Sequence, residues 1–278
     1  MKSIRNRQYG SAILMALSLA LAGQAAAAAV EASPANPSNK HIYIGQYDFY
    51  TNLWAIGGAG TGWYEYIYTN SPSSPSDSGW KWSGFGGDPS TVKSYPSIRK
   101  GGSNLQNDPS QTGLPYQLGS NTKNVDVLWS FVPSGYDGTG SISGTYNHAI
   151  DVFFHDSTTF SKAGLRAELM IIPESSSDSQ TQGWGRKDAT PFMIDGETWD
   201  VWQATMSSGG YSWPVMQFRK RVQVRYFNKN IKRFFAEAML RRPDVFLGSH
   251  YVSMVEAGTE VKSGSGKVHN KSYSVNVY

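Results

Sequence analysis

The sequence predicts an all-β domain, an antiparallel sandwich or barrel. Three observations point there. Short runs of alternating, β-branched or aromatic residues recur along the chain, separated by Gly, Ser, Asn, Asp and Pro. Only one segment carries helical spacing. There is no cysteine, and 13% of the residues are aromatic against 17% charged, so an ordinary aromatic-rich core must hold the chain together.

The strand-like runs are His41–Tyr50, Trp63–Tyr68, Val125–Val132, Ala149–His155, Ala167–Ile172, Thr198–Ala204, Val222–Phe227 and Ser272–Tyr278. No internal repeat of fixed period accompanies them. The exception is Asn230 to Leu240. There Ile231, Phe234, Phe235, Ala238 and Met239 share one helical face and Lys232, Arg233 and Glu237 the other, with Pro243 closing the segment. This reads as one amphipathic helix whose apolar face packs on the outside of a sheet. Polar loops are expected at Ser71–Ser78, Gly101–Gln111 and Glu174–Gln182. Gly57 to Gly62 lacks the Lys and following helix of a phosphate loop and reads as a hairpin turn. Arg219-Lys220-Arg221 reads as a solvated strand end.

The N-terminus has the form of a secretory signal. Lys2, Arg5 and Arg7 precede an apolar run, Ala12 to Ala22, that is too short to span a bilayer, and small residues continue to Ala29. Residues 1–29 are therefore expected to be a signal peptide, 30–40 a flexible lead-in and 41–278 the folded domain. The leader holds three of the 25 basic residues and none of the 21 acids, which leaves 22 against 21. That near-neutral balance gives no reason to expect a nucleic acid or an anionic membrane as partner. The expected form is a secreted monomer, in the periplasm or outside the cell. The 249 remaining residues suit one large all-β domain.

Three strand-like segments each hold a carboxylate within an apolar run: Ala149-Ile150-Asp151-Val152-Phe153-Phe154, Arg166-Ala167-Glu168-Leu169-Met170-Ile171-Ile172 and Ala257-Gly258-Thr259-Glu260-Val261. Side chains alternate along a strand, so Ala167, Leu169 and Ile171 face the core while Glu168, Met170 and Ile172 face away. Likewise Ala257, Thr259 and Val261 face in, and Glu260 out. Strand pattern alone fits three solvent-facing acids on a one-sided sheet, and spacing does not bring them together. No HxH, HExxH or GxSxG pattern occurs, so neither a metal site nor a serine nucleophile is expected. His155 shares strand parity with Asp151 and is read as a surface histidine.

In chain order, Tyr50-Thr51-Asn52-Leu53-Trp54, Trp80-Lys81-Trp82, Val92-Lys93-Ser94-Tyr95-Pro96, Leu114-Pro115, Asp151-Val152-Phe153-Phe154, Glu168-Leu169-Met170-Ile171 and Gly258-Thr259-Glu260 to Gly264-Ser265-Gly266 resemble the motifs of glycoside hydrolase family 12. Each is weak alone; the ordered set is specific. The resemblance implies a β-jelly roll of two stacked, curved antiparallel sheets with a concave substrate groove and one helix on the convex side. It implies an endo-β-1,4-glucanase that works by double displacement without a cofactor, with a β-glucan as its partner. Glu168 would be the nucleophile, Glu260 the general acid/base and Asp151 a hydrogen-bonding neighbour of Glu168. Asn52, Trp54 and Met170 would line the cleft near the cleavage point, and Trp82, as a flat apolar platform, is placed there too. Ile172 stands where the family carries Trp, which removes an aromatic wall. A xyloglucan-specific endoglucanase is the nearest alternative. A non-catalytic, lectin-like sandwich is the alternative of another class: it would share the aromatic platforms and need no paired acids.

Overall fold

The computed structural model describes residues 28–102, 112–120, 123–176 and 183–278. Most of the expected signal peptide, and the expected polar loops over 103–111 and 177–182, lie outside the described residues. Two sheets are stacked face to face. The smaller has six strands in the order β1 (Ala28–Ala32), β4 (Tyr64–Thr69), β5 (Ser78–Phe85), β17 (Gly264–Val277), β8 (Val125–Ser134) and β15 (Tyr226–Asn230). The larger runs β11 (Arg186–Lys187), β13 (Glu197–Ser208), β14 (Tyr211–Lys220), β10 (Leu165–Ser175), β9 (Tyr146–His155), β16 (Tyr251–Val261), β6 (Ser97–Gly101), β3 (Tyr47–Tyr50) and β2 (His41–Ile44). Two short strands, β7 (Tyr116–Gln117) and β12 (Phe192–Ile194), attach to β16 and β13.

Alternation builds the core between the sheets. Ala167, Leu169 and Ile171 of β10, Ile150, Val152 and Phe154 of β9, and Ala257 and Val261 of β16 all point into it. Trp80, Trp82 and Trp129 enter from the smaller sheet. The opposite face of the larger sheet is left free to form a site. Pairing is antiparallel except for β10 against β14, which runs parallel. Strand β13 intervenes and pairs antiparallel with β14, so β14 points the same way as β10.

The expected helix is α1, Lys232–Arg241. Its face of Phe234, Phe235 and Ala238 is buried against Phe154, Phe192, Trp199 and Phe218 on the core side of the larger sheet. Each buried Phe contributes roughly 2–3 kcal/mol of transfer free energy. An i,i+4 pair from Arg241 to Glu237 closes the last turn, and Pro243 follows.

Several local expectations change. His41–Tyr50 is not one strand but the hairpin β2–β3, turned at Gly45, whose φ of +55° a glycine adopts without strain. Val222–Phe227 is largely irregular, the strands being β14 before it and β15 from Tyr226. Residues 56–58 form a 3₁₀ turn rather than a hairpin. The segment read as a lead-in begins as strand: Val30 to Ala32 belong to β1, which pairs with β4, and Glu31 accepts a hydrogen bond from the Tyr64 hydroxyl at 2.6 Å. Arg219 and Lys220 are not solvated strand ends: Arg219 lines the groove described below, and the Lys220 side chain is buried against Glu197.

Candidate active site

The free face of the larger sheet curves into a groove of about 1120 Å³. Its centre is the strand trio β10–β9–β16. Met170 lies opposite Asp151, which lies opposite Glu256, which lies opposite Arg99 of β6. This row crosses the groove floor. One residue pair to one side, Glu168 lies opposite Phe153. Further along on the other side, Glu260 lies opposite Asn147. Strand alternation puts all these side chains on one face, where Glu256 and Glu260 line the groove and Asp151 and Glu168 are buried. Asp151 sits on the middle strand, between those that carry Glu168 and Glu260.

Glu168 is buried, and its Oε2 accepts a hydrogen bond from the Trp213 indole at 2.7 Å. Burial pushes its pKa up to about 7; the Trp213 bond opposes the rise, and the charges of Glu260 and Glu256 add to it. Asp151 is held well above the usual carboxylate range, first by burial and then by the charges of Glu168, Glu260 and Glu256. Its protonated form is thereby favoured. Glu260 is half-buried and accepts a hydrogen bond from the Asn147 amide. Burial also raises Glu256, against the opposing Arg99 charge and a hydrogen bond from Ser97.

Beneath the acids lies a small apolar layer that includes Met170, Ile172, Trp213, Val215 and Tyr95. Met170 and Ile172 both occupy the groove side, as alternation requires, and Trp213 reaches in from the neighbouring strand beside them. Tyr95 crosses the floor over Gly258. A Cβ at Gly258 would come within 2.9 Å of the Tyr95 ring and 2.6 Å of the Pro96 carbonyl, so only glycine fits between Glu256 and Glu260.

The rim is aromatic. Trp54 is 41% exposed, and its indole donates to the Asn52 side-chain oxygen at 2.8 Å. Trp184, equally exposed, stands on the β11 side. Asn52, Trp54 and Met170 thus line the groove together with Glu260, while Glu168 and Asp151 are buried on the same face of the sheet. Trp82 is not. It is fully buried on the inner face of β5, in the sheet that does not form the groove, packed where Gly266 leaves room for its ring. Parity explains this: Lys81 faces out, so Trp80 and Trp82 must both face the core. His155 also departs from expectation. It is buried, with Nδ1 2.7 Å from the Ser253 hydroxyl and its ring against Phe160, and burial pulls its pKa down to about 4.

Trp213, Glu256, Asn147 and Trp184 were not expected at the site. Glu256 shares strand parity with Glu260 and could have been read from the sequence. Trp213 and Asn147 carry no local signal; only register brings them to the acids. Among the described residues, no group of three or more His, Asp or Glu is arranged to hold a metal ion.

Comparison with known proteins accords with this geometry. Residues 45–278 match the family model for glycosyl hydrolase family 12. Endoglucanase S of Pectobacterium parmentieri is 30% identical over 254 residues, 88% of each chain. A family 12 xyloglucanase from Bacillus licheniformis, solved with a ligand, superposes with a TM-score of 0.73 at 28% identity, over 90% of this chain and all of that one. Endoglucanase 3 of Trichoderma harzianum shares the fold, with a TM-score of 0.67 at 19% identity over 87% of this chain and 97% of that one. The motif order, the jelly roll and these matches together make the chain a member of glycosyl hydrolase family 12.

Proposed function

We propose that the protein is a retaining endo-β-1,4-glucanase with Glu168 as nucleophile and Glu260 as acid/base. The observation that carries this reading is that Glu168, Asp151 and Glu260 stand on three neighbouring strands and on the one sheet face that forms the groove. A groove along the exposed face of a sheet suits an internal segment of a polymer. Trp54 offers a glucose ring an apolar face. A Glu168 oxygen attacks the anomeric carbon, while Glu260 delivers its proton to the departing glycosidic oxygen. Glu260 then takes a proton from water, whose oxygen displaces Glu168 and restores the β configuration. The Trp213 hydrogen bond favours the ionised form of Glu168, and protonated Asp151 beside it can donate to a carboxylate without adding a further charge.

A xyloglucan-specific activity is the second reading, favoured by the similarity to the Bacillus licheniformis xyloglucanase. The lectin-like alternative falls with the family assignment. Export through residues 1–29 and a monomeric state belong to the same proposal. Reducing-sugar release from carboxymethyl-cellulose, mixed-linkage β-glucan and xyloglucan tests it, with Glu168→Gln as control. Release lost in the variant supports the reading, and the ranking of substrates separates glucanase from xyloglucanase. No release from any of the three by the unaltered protein would refute it.

A further inference from the structure

Glu256 is a buried carboxylate in the groove floor to which the double displacement gives no role. It faces Asp151 on one side and Arg99 on the other. Its Oε1 accepts hydrogen bonds from the Ser97 hydroxyl and, at 3.4 Å, from the Asn52 amide nitrogen. Asn52 is itself unusual, held at φ +49°, a left-handed conformation that Asn tolerates better than most residues. Its amide oxygen receives the Trp54 indole N–H, and its backbone carbonyl receives the Tyr95 N–H at 3.0 Å.

The donor and acceptor types allow only one arrangement. An indole N–H only donates, so the group that meets it must be the amide oxygen, whatever the protonation of Glu256. The Asn52 amide must therefore point its nitrogen at Glu256 and its oxygen at Trp54. We propose that Glu256 is the positioning residue for the Trp54 platform: anchored by Ser97 and facing Arg99, its carboxylate sets the Asn52 amide, and the amide holds the indole at the groove rim. This rests on the glucanase reading, which makes Trp54 a sugar contact. Glu256 thereby couples the acid-bearing floor to substrate binding without touching the reacting atoms. Its loss falls on KM rather than on kcat. Arg99 is in turn fixed from behind by Asp48, to which its Nε donates at 2.8 Å, and Asp48 lies 2.9 Å from the His41 ring. The anchor therefore reaches the edge of the sheet.

The test is a double-variant cycle on the mature protein with a soluble β-glucan, measuring kcat and KM. Above the pH range in which Glu168 titrates, so that loss of the Glu256 charge does not alter the state of the nucleophile, Glu256→Gln is expected to raise KM about tenfold by weakening the hold on Asn52, with kcat within about twofold. In a Trp54→Ala background the same change should leave KM unaltered, because the link has already lost its end. Asn52→Gly removes the amide and suits the positive φ. It should reproduce the KM effect while leaving Glu256 and Arg99 in place, so the inference can be tested even if the Glu256 variant does not fold. Penalties that add in the double variant, or a fall in kcat at constant KM, would overturn the inference. No hydrolysis by the unaltered chain would instead refute the glucanase reading, and this inference with it.

Discussion

At the scale of single residues, Glu168 is balanced between opposing influences. Burial and two neighbouring carboxylates raise its pKa, to about 7 in all, and the Trp213 hydrogen bond holds it down. If Glu168 must be ionised to attack, kcat/KM should rise with pH through about 7. Trp213→Phe removes the one opposing influence and keeps the ring. The acid limb of the kcat/KM profile should then move to higher pH, and a profile that stays in place would show that the bond does not tune the nucleophile. Replacing Glu260 by Gln acts in the other direction, since it removes a negative charge that raises Glu168. A titration of Glu168 followed by NMR in that variant should show a lower midpoint. The acids and their parity were legible in the sequence because alternation is a local property. Trp213 and Asn147 were not, because a two-residue offset in register would have sent each to another partner, and register is set by the whole sheet. Trp82 shows the converse: its motif suggested the cleft, and the parity of Trp80-Lys81-Trp82 put it in the core.

At the scale of elements, α1 and β16 carry the two clearest constraints. The apolar stripe of α1 was readable from spacing, and Phe234 is the residue it buries against Phe192, Trp199, Phe218 and Phe227. Phe234→Ala should cost about 3–5 kcal/mol in denaturant-induced unfolding. A loss under 1 kcal/mol would mean that the helix is not a structural part of the core. On β16, Gly258 lies between the two groove-facing glutamates with no room for a methyl group. Gly258→Ala should displace Tyr95 and lower activity while the far-ultraviolet circular dichroism stays unchanged. The hairpin β2–β3 and strand β14 carry weak local signals, each for its own reason. Gly45 is one weak turn signal inside a long apolar run, and Tyr211–Lys220 mixes Pro, Gln and Arg among its apolar residues because one of its faces lines the groove.

At the scale of the molecule, the buried titratable groups set how stability responds to pH. Glu65, Asp151, Glu168 and Glu256 all have pKa values raised by burial. Such an acid holds its proton more tightly in the fold than in the unfolded chain. Its contribution is full below the ordinary carboxylate value near 4.5 and is lost as pH rises towards the folded pKa. His148 and His155 act in the opposite sense. Burial lowers them to about 3 and about 4, so the unfolded chain takes up their protons first, and stability is lost as pH falls below about 6.5. The melting temperature should therefore peak between about pH 4.5 and 6.5 and decline on both sides. Glu65→Gln should flatten the alkaline decline and leave the acid side unchanged; a calorimetric pH series on both proteins checks this. The jelly roll itself was legible from the ordered motifs and the single helix, whereas the pairing of β10 with β14 depended on how β13 and β14 return to the sheet.

The most direct test of the proposed chemistry is to trap the covalent intermediate. A 2-fluoro cello-oligosaccharide with a good leaving group slows the second displacement more than the first, and mass analysis of the digested protein then locates the sugar. The expected result is a single adduct on the peptide that contains Glu168, formed only while Glu168 is present. Turnover of the natural substrate without any adduct, or an adduct on Glu260 or Asp151 instead, would contradict the assignment of Glu168 as nucleophile.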